Sequence, residues 1–177
     1  MKIAIIGYSG AGKSTLAENL SNYYSIPKLH MDTLQFQPGW QDSDREWMLT
    51  EMKNFLTKHE AWVIDGNYSW CCYEERMQEA DQIIFLNFSP WTCLFRAFKR
   101  YLTYRGKVRE SMAAGCPERF DWEFIRWILW DGRTKNAKER YQRVQENYPE
   151  KVIVLRSQKE MDHFLENLAN NKKNQRA

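Results

Sequence analysis

Residues 2–15 read Lys2-Ile3-Ala4-Ile5-Ile6-Gly7-Tyr8-Ser9-Gly10-Ala11-Gly12-Lys13-Ser14-Thr15. A short apolar strand runs into the pattern G-x-x-x-x-G-K-[ST], the phosphate-binding loop known as Walker A. Its glycines let the backbone curl so that successive N–H groups face one anion. Leu16-Ala17-Glu18-Asn19-Leu20 continues as an amphipathic helix whose positive end points at the same place. Gly7, Ser9, Gly10, Ala11, Gly12, Lys13, Ser14 and Thr15 are therefore the expected triphosphate contacts. Lys13 is expected to reach the β- and γ-phosphates, and the Ser14 hydroxyl to complete a Mg²⁺ shell. ATP and Mg²⁺ are thus the expected cofactors.

Outward from this loop, strand and helix signals alternate. Further strands are expected at Ile26–His30, Trp62–Ile64, Gln82–Leu86 and Lys151–Leu155. Ser43-Asp44-Arg45-Glu46 and Ser157-Gln158-Lys159-Glu160 are capping-box patterns that open helices, the first running to about His59. A short helix is expected over Tyr73–Glu79, and Ser89-Pro90 supplies a cap with proline at the first helical position for a helix to about Tyr104. Residues 106–117 read as a mobile loop, and residues 121–147 as one helix bent at Gly132. This alternation implies an α/β fold: a parallel sheet with helices on both faces, in one domain spanning residues 1–177. In such sheets ligands bind beyond the carboxyl ends of the strands.

Composition narrows the class. Net charge is +3, too small to argue for nucleic acid. Aromatic residues make up 15% of the chain, including 8 Trp, so they either pack heavily or stack on something flat. No apolar run reaches the 18 residues of a membrane span, and the first apolar stretch is too short for a signal peptide. Cys71, Cys72, Cys93 and Cys116 have no zinc-type spacing and read as free cytoplasmic thiols. The basic stretch Lys172–Arg176 reads as a solvated end.

The strand ends carry the candidate chemistry. Asp65 closes the apolar run Trp62-Val63-Ile64, the position of an acid that holds Mg²⁺. Asp32, just after the second strand, is a candidate to accept an acceptor hydroxyl's proton. His30 reads as packed or hydrogen-bonded. Phe36, Pro38, Gly39 and Trp40 read equally as a packed loop or an acceptor-pocket wall. Arg96, Lys99, Arg100, Arg105, Lys107 and Arg109 come in close succession with no acid among them, and Arg126 and Arg133 come later. Phosphoryl transfer needs cations around the transferring oxygens, and a closing lid can bring them. Residues 90–135 are the expected lid, with Arg100, Arg105, Arg109 and Arg133 as its catalytic cations.

On these motifs the chain resembles the adenylate-kinase-like branch of P-loop kinases, which includes shikimate and gluconate kinases. Through IIGYSGAGKSTLA, LHMDTLQFQPGW, WVIDGNYS, YEERMQEADQIIFLNF, GCPERFDWEFIRWILWDGR and VIVLRSQKEMDHFL it looks more closely like bacterial DNA topology modulation proteins. The resemblance implies a P-loop NTPase three-layer sandwich with strand order 2-3-1-4-5, an acceptor region after strand two and an arginine-rich helical lid after strand four. Asp65-Gly66 matches the Asp-Gly of adenylate kinases. Their next residues, Phe-Pro-Arg, whose arginine grips the acceptor phosphate, are here Asn67-Tyr68-Ser69, so a smaller or less charged acceptor fits better.

Two functions stand as expectations. The leading one is a phosphotransferase moving the γ-phosphoryl of Mg-ATP to a small hydroxyl acceptor, as a monomer or homodimer. The other is an ATP-dependent regulator that affects DNA topology or binds DNA, with weak ATPase activity. No helix-turn-helix, zinc finger or long basic region favours direct DNA contact.

Overall fold

The computed structural model describes residues 1–174, with side chains described through residue 170. The side chains of the basic tail Lys172–Arg176 lie outside that range. The elements in chain order are β1 (Lys2–Gly7), α1 (Lys13–Tyr24), β2 (Lys28–His30), α2 (Met31–Gln35), β3 (Phe36–Gln37), β4 (Gln41–Asp42), α3 (Arg45–Lys58), β5 (Trp62–Asp65), α4 (Tyr73–Glu79), β6 (Gln82–Leu86), α5 (Pro90–Tyr104), α6 (Trp122–Leu129), α7 (Lys135–Asn147), β7 (Val152–Leu155) and α8 (Gln158–Asn174).

Five strands form one parallel sheet in the order β2-β5-β1-β6-β7. With the small β3–β4 hairpin set aside, this is the expected order 2-3-1-4-5. Ile3 to Ile6, Val63, Ile64, Ile83 and Ile84 have no exposed surface. Side chains alternate between the two faces of a strand, so burial of consecutive residues means that both faces are covered. Leu16, Ala17 and Leu20 of α1, Met48 and Met52 of α3 and Met77 of α4 join the sheet in one core. Strand register sets the ends of β1, β2 and β5 side by side: Ile5 pairs with Asp65, and His30 pairs with the same Asp65.

Local expectations fail in three places. The α3 cap is Asp44, whose Oδ1 accepts from the Trp47 N–H at 2.8 Å, and Ser43 instead donates its own N–H to the Gln35 carbonyl. Residues 121–147 form two helices separated by a 3₁₀ turn (Asp131–Arg133), because Arg133 turns back to the Ile128 carbonyl and Thr134 starts a new cap on Ala137. The loop after α5 is seated on the structure. Met112, Ala113 and Cys116 form a second small core against Phe36 and Trp40, and Gly39 donates to the Gly115 carbonyl at 3.0 Å. At Ser157 half of the capping box forms: the Glu160 N–H donates to Ser157 Oγ, while the Glu160 carboxylate accepts from the Arg156 N–H at 2.9 Å, one residue before the cap.

Candidate functional site

The strand ends open into one cleft of about 1040 Å³. Its floor is the phosphate loop. Gly10 and Gly12 have φ of +79° and +97°, a region that side-chain-bearing residues rarely adopt. A Cβ at Gly10 would also lie 2.5 Å from the Cys93 carbonyl oxygen, so α5 packs directly against the loop. Gly12 caps α1, and no described side chain caps that helix, which leaves its first-turn N–H groups available to an anion. Asn67 fixes the start of the loop. Its Oδ1 accepts from the Gly7 N–H at 3.1 Å, while its Nδ2 donates to the Gly7 carbonyl. Lys13 Nζ donates to the carbonyls of Gly7 and Tyr8 at 3.0 and 3.2 Å. Burial pushes the Lys13 ammonium pKa down, against the opposing pull of Asp32 and Asp65.

Beside the loop, Ser14 Oγ donates to Asp65 Oδ2 at 2.9 Å, and the other Asp65 oxygen sits 2.5 Å from His30 Nδ1. Asp65 and His30 are both buried. His30 thus takes the hydrogen-bonded role expected of it, orienting the carboxylate. Two hard oxygen donors converge next to the phosphate loop, which is the donor set Mg²⁺ uses when phosphates and water complete its octahedron. Among the described residues no cluster of three His, Cys, Asp or Glu side chains could form an all-protein cage. The donors present therefore suit an ion that arrives with its phosphates.

Across the cleft, Asp32 Oδ1 accepts from the Tyr68 hydroxyl at 2.7 Å. Burial and the neighbouring Asp32 push the Tyr68 pKa far up, so it stays a donor. Phe36 and Trp40 pack against the second core, as a packed loop would, and both also line the cleft. Trp40 has φ of +64°, and its Nε1 donates to the Pro117 carbonyl at 3.1 Å, which ties the hairpin to the loop above.

The cationic wall comes from α5, the loop after it, α6, the 3₁₀ turn and α7. Arg100, Arg109 and Arg133 line the cleft, together with Arg96, Arg119, Arg126 and Arg140. Arg100 and Arg109 share one buried partner, Glu118, at 2.6 and 2.5 Å. Arg133 lies 3.7 Å from the Tyr8 ring centroid and donates to the Phe88 carbonyl, so it braces the phosphate loop. Arg105 is exposed and does not line the cleft. Thr15 is exposed but sits on the cleft rim, whereas Gly7 and Ala11 are buried and support the loop from beneath.

Sequence reasoning missed Asn67, Glu118 and Trp127, whose Nε1 donates to Ser9 Oγ at 3.0 Å. Glu118 left a weaker signal: with Glu110 it is one of the first two acids after a run of cations that had none. Asn67 left another, as an amide directly behind Asp65-Gly66.

No protein-family model and no curated protein sequence matches the chain. Solved structures do. A deoxyadenosine kinase from M. mycoides, solved with dCMP and dCDP, superposes with a TM-score of 0.53 at 18% identity, covering 98% of this chain and 100% of that one. A gluconokinase from Sinorhizobium meliloti 1021 gives 0.49 at 19% identity, covering 98% and 96%. The first likeness establishes the fold alone: the chain shares that kinase's α/β architecture, with the parallel sheet order described above. None of the described helices is long and apolar enough to cross a membrane.

Proposed function

We propose that the protein is a Mg-ATP-dependent phosphotransferase that acts on a small hydroxyl-bearing acceptor, a nucleoside included. One observation carries the reading: the phosphate loop with Lys13, the Ser14–Asp65 pair and the Arg100–Glu118–Arg109 cluster all open on the same cleft as Asp32. The α1 N-terminus and Lys13 hold the β- and γ-phosphates. Ser14 and Asp65 would hold Mg²⁺, which neutralises phosphate charge when bound. Asp32 takes the proton of the acceptor hydroxyl as its oxygen bonds to the γ-phosphorus. The bond from that phosphorus to the β–γ bridging oxygen breaks, and ADP leaves. Arg100 and Arg109 stabilise the charge that spreads over the transferring oxygens. Catalysis in this scheme is positioning plus charge stabilisation.

The absence of an arginine at Asn67-Tyr68-Ser69 favours an acceptor without a phosphate of its own. The resemblance to DNA topology modulation proteins is compatible with a small kinase that acts on DNA indirectly. The test is ATP consumption against a panel of nucleosides, nucleotides, sugars and hydroxy acids, with Lys13→Ala as control. Strong stimulation by one acceptor, lost in Lys13→Ala, supports the kinase. Tight ATP binding without stimulation by any acceptor supports the nucleotide-gated regulator instead.

A further inference from the structure

The inner face of α5 is committed. Cys93 and Ala97 are buried, Gly10 packs on the Cys93 backbone, Arg96 reaches Gln158, and Arg100 reaches Glu118. The outer face is not. Trp91 is 69% exposed, Phe95 68%, Phe98 42% and Leu102 59%. Their spacing of four, three and four residues puts them on one stripe of the helix. Such a stripe on a well-seated helix is half of a helix–helix seam, and apart from Phe120, which packs on Phe98, it stands open to solvent.

We infer that a second copy of this chain covers it, with the α5 helices of two protomers packed antiparallel about a twofold axis. Symmetry makes the stripe its own complement. An axis crossing between Phe95 and Phe98 sets Phe95 of one copy against Phe98 of the other, and Trp91 against Leu102. Area agrees. With side chains of about 150–250 Å² each, the four residues present about 450 Å² of apolar surface. Trp122, 69% exposed, comes shortly after the Phe120 ring that packs on Phe98 and Tyr101. With Trp122 the total reaches about 600 Å², at the top of the ~300–600 Å² of an ordinary monomer's largest patch and approaching the ~800 Å² each partner gives a stable interface.

Charge also favours a second copy over other occupants. No acid lies on α5, and its one outward cation, Lys99, flanks the stripe. Arg105 and Lys107, beyond the helix end, bring the exposed cations to three. An anionic bilayer surface is recognised by clusters of about four to eight. An apolar, nearly uncharged seam selects another like it.

The test is the molar mass of the full chain by light scattering after gel filtration, from about 1 to 100 µM. Wild type is expected at twice the 21.3 kDa protomer. Phe95→Glu is expected to be a monomer that keeps its far-UV circular dichroism and its ATP binding, and Leu102→Glu gives the same reading should Phe95→Glu misfold. Thr103→Glu, exposed on the same helix but off the stripe, is expected to stay dimeric. A monomeric wild type across this range, or a Leu102→Glu variant that remains a dimer, overturns the proposal. So does a monomer that pellets with phosphatidylserine vesicles, which would give the stripe to a membrane.

Discussion

The two walls of the cleft are built on opposite principles. The phosphate-loop wall is made of backbone. Gly10, Gly12 and the α1 N-terminus set its geometry, Asn67 fastens its start, and Cys93 closes it from behind. The arginine wall is made of long side chains, two of them sharing one acid, Glu118. A backbone site tolerates no local change because each group has one position. A side-chain site spreads its charge over many groups, so loss of one should be graded. The difference teaches where this protein can vary: in what the arginines reach, not in how phosphate is held.

The comparison breaks first at Lys13. Lys13→Ala should lower turnover about 10²–10³-fold, the usual cost of one lost transition-state donor, as read by steady-state ATP consumption. Gly10→Ala should come next. The added Cβ meets the Cys93 carbonyl at 2.5 Å in a left-handed backbone, so the variant should lose about 1–3 kcal/mol. Thermal unfolding checks this, and an unchanged midpoint would mean that the loop yields more easily than its packing implies.

That wall was legible in the sequence because its geometry is local: strand, glycines and helix lie within fifteen consecutive residues. Asp65 was legible because it ends a strand whose apolar run announces it, and Asp32 because it lies two residues beyond the end of β2. The arginine wall was legible as a succession of cations, Arg100, Arg109 and Arg133 among them, but not in its pairings. Glu118 meets Arg100 across 18 residues, Asn67 meets Gly7 across 60, and Trp127 meets Ser9 across 118. No period or cap encodes such pairings, since tertiary packing chooses them. Arg105 shows the same limit from the other side. It belongs to the basic run by sequence, yet one turn of helix and the loop's direction leave it outside the cleft.

The arginine wall sharpens the contrast by degrees. Arg100→Ala and Arg109→Ala should each lower kcat/KM about tenfold, and the double variant by more than the product, because Glu118 is then buried without a partner. Arg105→Ala should leave kcat/KM within about twofold, as surface changes away from special features usually do. If Arg105→Ala matched Arg100→Ala, the lid would have to close differently from the arrangement seen here. A separate prediction concerns Cys72, the least buried of the four free cysteines. Burial and then Glu75 push its thiol up to about 11, so the reactive thiolate is scarce at pH 8, by about a hundredfold relative to an ordinary cysteine. Its alkylation by iodoacetamide, monitored by mass spectrometry, should be slow at pH 8 and accelerate steadily towards pH 11.

Phosphoryl transfer itself is tested by tracking the γ-phosphoryl. Labelled γ-phosphate ATP is incubated with Mg²⁺ and the acceptor that stimulates turnover, using wild type, Lys13→Ala and Asp32→Asn. The expected result is label on the acceptor in wild type, almost none in Lys13→Ala, and a sharp loss in Asp32→Asn with ATP binding intact. Label released only as inorganic phosphate, at equal rates in wild type and Asp32→Asn, would contradict a kinase built on this cleft.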